Sequence, residues 1–321
     1  MRLALIGDYR PAIVTPAGVV DVSDFAREIL LLPPEYRTPA LIEGWSRYAP
    51  AFQEAASRRP ALNPAEIRFR APLPRPAKLL CGQLSFREGI ADAVVTPAFF
   101  LKSTTSVIGP GDTVELPAVD ASVFHHEAEL AVVIGKRAKS VMPAQAMDHV
   151  FGYTCFMDMS ARGVGPGTGY QDKSYDTFGP MGPWILTADE IDDPHALQVR
   201  LWNDGEIRHD YPMSDIGNPI PIMIAYASSI AALEPGDVLA MGVNHQGIGP
   251  IQDGENLRIE ISPIGGFEVR VIDNLNRRWE KGIDRGVAEA VLRLVRGEPL
   301  GQFQFARRID GRGEARESAD G

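Results

Sequence analysis

The stretch His125-His126-Glu127-Ala128-Glu129-Leu130-Ala131-Val132-Val133-Ile134-Gly135-Lys136 decides how this chain is read. In a strand, residues two apart share a face. Glu127, Glu129, Ala131 and Val133 therefore lie on one side, and Ala128, Leu130, Val132 and Ile134 on the other. A strand apolar on both faces is buried on both, so the two carboxylates enter poorly solvated surroundings. There they must protonate, pair with cations or bind a metal, because isolated buried charge costs too much. Two oxygens on one face, joined by a third carboxylate from a neighbouring strand, suit a hard divalent cation such as Mg²⁺ or Mn²⁺. Asp158, which ends the apolar run Tyr153–Met157, is the candidate third ligand. The competing reading is an exposed strand edge that carries Glu-x-Glu by chance. His125 shares the glutamate face, so it is a candidate extra ligand, general base or donor to a carboxylate. His126 points the other way and reads as packed or exposed.

Around this strand the sequence sets further short apolar runs: Lys78–Cys81, Ala98–Leu101, Thr113–Leu116, Gly152–Met157, Trp184–Leu186, Val199–Trp202, Val238–Met241 and Leu257–Ile261. Turn signals separate most of them, and Asn203-Asp204-Gly205 predicts a hairpin. Helices are few: Pro143–Val150, Ile222–Leu233, and an amphipathic stripe of Val287, Ala290, Val291, Leu294 and Val295. The first ~70 residues differ. They show a strand at Leu3–Ile6 and a helical stretch from Leu41 towards Arg58 with a break at Pro50. The alternate prolines of Ala71–Pro76 read as an extended linker. The expected organisation is a small N-terminal α+β domain over 1–72, a metal-binding catalytic domain over 73–298 and a flexible tail over 299–321. The fold class is α+β and mostly β.

Composition narrows the function. The chain has 321 residues, with Lys plus Arg 32 against Asp plus Glu 42, a formal charge of −10. That balance argues against nucleic-acid binding, which needs a concentrated basic face. It leaves an anionic substrate open, since a metal or one lysine reverses the sign locally. No apolar run approaches the ~18 residues of a membrane span, and the apolar start is too short for a secretory segment. Cys81 and Cys155 sit in apolar runs and read as small buried hydrophobes. A soluble protein of a reducing cytosol is expected. His149, His195 and His209 read as solvated surface.

Beyond the single strand, ordered blocks from about Lys78 to Val271 resemble the fumarylacetoacetate hydrolase family. They include Phe99-Phe100-Leu101-Lys102-Ser103, Gly109-Pro110-Gly111-Asp112, Glu127–Lys136, Gly152-Tyr153-Thr154, Asp158–Arg162, Lys173-Ser174 with Asp176-Thr177-Phe178, and Pro235-Gly236-Asp237. The resemblance implies a mixed β-roll (half-barrel) domain, usually dimeric, preceded by a small N-terminal domain. It implies metal ligands at Glu127, Glu129 and Asp158 and an active-site lysine at Lys173, with Mg²⁺ or Mn²⁺ as cofactor and Ca²⁺ as the outlying choice. Arg162, Lys173, Asn244 and His245 are the candidate substrate contacts.

The departures matter as much. Many relatives carry a His after Gly-x-Asn-Tyr that forms a water-activating dyad with a Glu. In the matching segment Gly82–Gly89 that place is held by Glu88, and no His occurs between Met1 and Phe124. The Gly163–Gly169 loop replaces an Asp and a Gln of relatives with glycine and reads as a mobile lid. The expected activity is metal-dependent hydrolysis of a carbon–carbon bond in a β-dicarbonyl, acylpyruvate-like small molecule, with Glu88, His125 or His245 able to serve as base and Glu88 preferred over His125. The alternative is decarboxylation or keto–enol isomerisation of an oxaloacetate- or hydroxymuconate-like 2-oxo acid, which needs no attacking water. A non-catalytic metal-binding homologue is the third reading.

Overall fold

The strand Ala128–Ile134 forms as its pattern dictates, with every residue buried. The structure is a computed structural model that describes residues 1–165, 167 and 169–309. The strand lies within a large sheet, antiparallel both to Val150–Met157 and to Val238–Ala240. Leu130, Val132 and Ile134 join a core with Tyr153, Cys155 and Met157. Ala131 and Val133 join a second core with Leu41, Phe52, Cys81 and Phe156. One strand thus serves two cores, and its double-sided apolarity follows from that.

The large sheet runs Gly18–Asp21, Arg10–Thr15, Arg2–Ile6, Gly179–Thr187, Val150–Met157, Ala128–Ile134, Val238–Ala240, Leu79–Gly82, Phe99–Leu101. The first strand pairs Arg2 with Leu186 and Leu3 with Ile185, so the N-terminal hairpins continue the sheet that carries the glutamates. Helices Pro34–Glu43 and Trp45–Arg58 lend Leu41, Tyr48 and Phe52 to the second core. The break between them falls at Gly44 rather than Pro50, which is exposed within the second helix. A Cβ at Gly44 would come 2.6 Å from the Tyr48 ring, so close packing sets the junction there.

A second sheet orders Glu206–Pro212, Gln198–Asn203, Asn256–Ser262, Gly265–Ile272 and Thr113–Glu115. Its hairpin turns at Asp204 and Gly205, both with positive φ (49° and 80°), the backbone of a type I′ turn. A third, small sheet holds Ser160–Arg162, Val123–His126 and Gly249–Pro250. The chain passes from this sheet into the large one at Glu127, and passes back through Asp158. Both residues sit at corners where neighbouring strands switch sheets, and the Asp158 N–H bonds the Glu127 carbonyl at 2.8 Å. Such corners free side chains from the pleat and aim them into one pocket.

At the C-terminus the helix Arg285–Val295 buries Val287, Ala288, Ala290 and Val291. The first part of the expected tail does not hang free. Phe303 and Phe305 pack on the Ile248, Val287 and Val291 cluster, and the Ile309 N–H bonds the Arg278 carbonyl. Two aromatic side chains at alternate positions anchor a segment whose average composition is polar. The rest of that tail, 310–321, lies outside the described residues. Cys81 and Cys155 are free and buried, as their surroundings suggest.

Candidate metal centre

The carboxylates of Glu127, Glu129 and Asp158 offer oxygens that all lie within 4.8 Å of one another. All three residues are buried, Glu129 completely. Cations surround them. Lys173 Nζ donates to Glu127 Oε2 at 2.7 Å and to Asp158 Oδ2 at 2.8 Å. Lys102 Nζ donates to Asp158 Oδ1 at 2.6 Å. The Arg162 guanidinium and the Ser160 hydroxyl, the latter at 2.8 Å, both donate to Glu127 Oε1. Glu129 is the exception: its Oε2 accepts the Gly242 N–H at 2.7 Å, while its buried Oε1 has no partner among the described residues.

An orphaned carboxylate oxygen beside two further carboxylates is costly unless a proton or a cation meets it. The all-oxygen donor set fits Mg²⁺ or Mn²⁺. The electrostatics divide accordingly. Burial would raise the Glu127 carboxyl, but Lys173 and Arg162 outweigh it and hold the group well below the ordinary range. Burial, then Asp158 and Glu127, push the Glu129 carboxyl well above it. Burial disfavours the Lys173 ammonium, yet Asp158 and Glu127 more than compensate and keep it charged. Lys173 is therefore a fixed positive charge rather than a base.

Glu88 and His245 meet. The His245 Nδ1 lies 2.9 Å from Glu88 Oε1, and the His245 backbone N–H donates to Oε2 at 2.9 Å. The Gln246 side-chain amide donates to the same Oε2 at 2.9 Å. These bonds hold Glu88 at φ 55°, a conformation that costs a non-glycine residue of order 1–3 kcal/mol. With Nδ1 engaged, His245 Nε2 has no hydrogen bond among the described residues. The loop that carries it begins at Gly242, the residue bonded to Glu129, which sets His245 beside the carboxylates.

His125 takes a different place. Its Nε2 lies 2.9 Å from Asp284 Oδ2, and its Nδ1 accepts the Arg162 Nε–H at 3.3 Å. Both ring nitrogens are occupied, and burial holds the ring below its ordinary pKa despite Asp284. Asn244 turns to Asp215 at 2.8 Å and caps the turn by accepting the Gln246 N–H. Arg162 and Lys173 both touch the carboxylates. His209, expected on the surface, is buried against His126, Nδ1 of His126 to Nε2 of His209 at 3.1 Å. Its strand places His209 and Tyr211 inward in alternation, a period-2 signal present in Glu206–Pro212. The Gly163–Gly169 loop includes Pro166 and Thr168, which lie outside the described residues.

Sequence reasoning missed Lys102 and Ser160 as partners of the carboxylates and Asp284 as the partner of His125. Lys102 is a lone charge after the strand Phe99–Leu101, and Ser160 lies two residues from Asp158, so both carried local signals. Asp284 carried none beyond its place before an amphipathic stripe.

The model for the C-terminal domain of fumarylacetoacetate (FAA) hydrolase matches residues 81–272. A maleylpyruvate hydrolase of Aquipseudomonas alcaligenes is 30% identical over 292 residues, 84% of this chain and 99% of that one. The mitochondrial oxaloacetate tautomerase of Rattus norvegicus is 31% identical over 269 residues, 79% of this chain and 84% of that one. The crystal structure of maleylpyruvate hydrolase from Sphingobium sp. SYK-6 with manganese(II) and pyruvate superposes with a TM-score of 0.78 at 34% identity, covering 85% of this chain and 99% of that one. Among the described residues no helix is long and apolar enough to cross a membrane.

Proposed function

This chain belongs to the fumarylacetoacetate hydrolase family, and on that premise we propose that it hydrolyses a carbon–carbon bond in an acylpyruvate-like β-dicarbonyl acid, as a divalent-metal enzyme. The observation that carries the reading is the Glu88–His245 pair. Hydrolysis needs a base for water, and the histidine that relatives hold at the Glu88 position is supplied here from residue 245.

Glu127, Glu129 and Asp158 would hold the cation, with Mg²⁺ or Mn²⁺ the choices; the manganese in the Sphingobium relative favours the second. When bound, it supplies Lewis-acid stabilisation of negative charge that develops on the substrate oxygens. His245 Nε2 accepts a proton from water as the oxygen attacks the carbonyl distal to the carboxylate. Glu88 fixes the tautomer through Nδ1 and offsets the imidazolium charge. The tetrahedral adduct then expels an enolate, and the imidazolium returns the proton to carbon. Lys173, held cationic, and the part of the Arg162 guanidinium that reaches solvent stabilise the carboxylate and enolate charges. Glu88 itself, with both oxygens engaged, orients His245 rather than serving as base.

Similarity to an oxaloacetate tautomerase favours a second reading, keto–enol isomerisation or decarboxylation of a 2-oxo acid without water attack. Product analysis separates the two. The chain is given acylpyruvates, oxaloacetate and hydroxymuconates, each with and without Mn²⁺ or Mg²⁺. Pyruvate plus a second acid from an acylpyruvate supports hydrolysis; turnover of oxaloacetate alone replaces it with the second reading. A cytosolic homodimer is the proposed state.

A further inference from the structure

The C-terminal segment beyond the family-matched region 81–272 is linked to the metal centre through His125 and Arg162. Asp284 caps the helix Arg285–Val295 by accepting the Val287 N–H at Oδ1, 3.3 Å away. Its Oδ2 accepts the Ala306 N–H at 2.9 Å and meets His125 Nε2 at 2.9 Å. His125 Nδ1 in turn faces Arg162 Nε, and the Arg162 guanidinium donates to the carboxylate of Glu127. The tautomer follows from chemistry alone. An arginine Nε–H can only donate, so His125 Nδ1 must accept, and Nε2 carries the proton given to Asp284. Every junction in the chain Glu127–Arg162–His125–Asp284 has one donor and one acceptor. His125 and Asp284 are buried, so the link between them is rigid and poorly screened. The same helix also touches the dyad, since Gln246, which bonds Glu88, donates to the Ala288 carbonyl at 3.3 Å.

We propose that Asp284 is a positioning residue that, through His125 and Arg162, sets the orientation of the Glu127 carboxylate for the metal ion, making the C-terminal helix a built-in brace of the site. This rests on Glu127, Glu129 and Asp158 as the metal ligands. Outer partners of metal ligands typically contribute about 10–100-fold to affinity.

The test is Mn²⁺ binding to the full chain by calorimetry, without substrate, in Asp284→Asn, His125→Asn, their double variant and Glu129→Ala. Asp284→Asn should weaken Mn²⁺ about tenfold or more. In the His125→Asn background the same change should add nothing, because the route to Glu127 is already cut. An effect of equal size in both backgrounds would mean that Asp284 acts only through the helix cap, and overturns the proposal. His125→Asn leaves that cap in place, so it carries the test if Asp284→Asn folds poorly; full Mn²⁺ affinity in it also overturns the proposal. If Glu129→Ala loses the ion while Asp284→Asn binds it fully, the proposal alone falls. If Glu129→Ala binds as the unaltered chain does, the metal reading falls and takes the proposal with it.

Discussion

Glu88→Gln isolates the charge of the dyad from its geometry. The glutamine oxygen, placed at Oε1, can still accept the Nδ1–H and the longer, 3.2 Å arm of the His245 backbone N–H. The new amide NH₂ faces Gln246, whose own amide can turn to present its oxygen. Orientation of the imidazole therefore survives, and what is lost is a negative charge beside an imidazolium that forms during proton transfer. At ~4 Å between charge centres and an effective dielectric of ~20, that attraction is worth about 4 kcal/mol. At ~1.4 kcal/mol per factor of ten, kcat should fall by about 10³, within the ~10²–10⁴ of general-base catalysis.

The assay is pyruvate release from an acylpyruvate at saturating Mn²⁺, with Mn²⁺ affinity measured alongside and expected to stay the same. His245→Ala should lose as much, and the double variant little more than either alone, because the two residues act as a unit. Turnover of Glu88→Gln within about threefold of the unaltered chain would refute the reasoning. Water activation would then not be the task of this pair, and the enolate-only reading would take its place.

Glu129→Ala should abolish Mn²⁺ binding and metal-dependent turnover while circular dichroism stays native, since it removes a buried carboxylate with one oxygen unpaired among the described residues; retained binding would show that the ion sits elsewhere. Metal affinity should climb with pH by up to about tenfold per unit, because the raised Glu129 carboxyl keeps a proton that the cation must displace; a flat affinity with no proton release contradicts this. Acid should weaken the fold through His209, which burial pushes down to about 4 from 6.5. Its unfolded form gains a proton below about pH 6.5 that the folded form refuses, so stability present above that pH is lost, by about 3 kcal/mol, as pH falls towards ~4. Denaturant titrations of His209→Gln should show a smaller loss over that window, and an identical slope would rule His209 out as the cause.

The part of the site that lies along one strand was legible because strand geometry is local. Glu127, Ala128 and Glu129 declare their faces within a few residues, and the apolar run that follows forces burial on both sides. Asp158 follows by the same reasoning from Tyr153–Met157. The dyad was not legible, because Glu88 and His245 stand 157 positions apart and nothing in either segment refers to the other. Only the parallel pairing of Leu79–Gly82 with Val238–Ala240 brings the two following loops side by side. Asp284 was hidden for a related reason: its cap on the helix is a local role, which masks the longer contact with His125. His209 was misjudged from its charged neighbours, although the alternation of its own strand placed it inward.

The charges of the centre favour the kind of substrate that the fold's chemistry requires. The carboxylates of Glu127, Glu129 and Asp158 are matched in number by Lys102, which bonds Asp158, Arg162, which bonds Glu127, and Lys173, which bonds both. Formally these groups cancel, and the Glu88 carboxylate is offset by the imidazolium that forms on His245, so a divalent cation held there would leave the pocket two charges positive as the bond breaks. A buried excess of that size is not tolerated for long without a counter-charge. An acid whose carboxylate and developing enolate supply two negative charges restores neutrality most fully at the moment of bond cleavage. Stabilisation that grows with the charge developed is the form of binding that speeds a reaction rather than merely tightening its ground state. Lys173→Met separates this account from simple affinity. With one fixed cation removed, kcat should fall by more than KM rises, whereas a change confined to KM would mean that the lysine holds substrate and transition state alike.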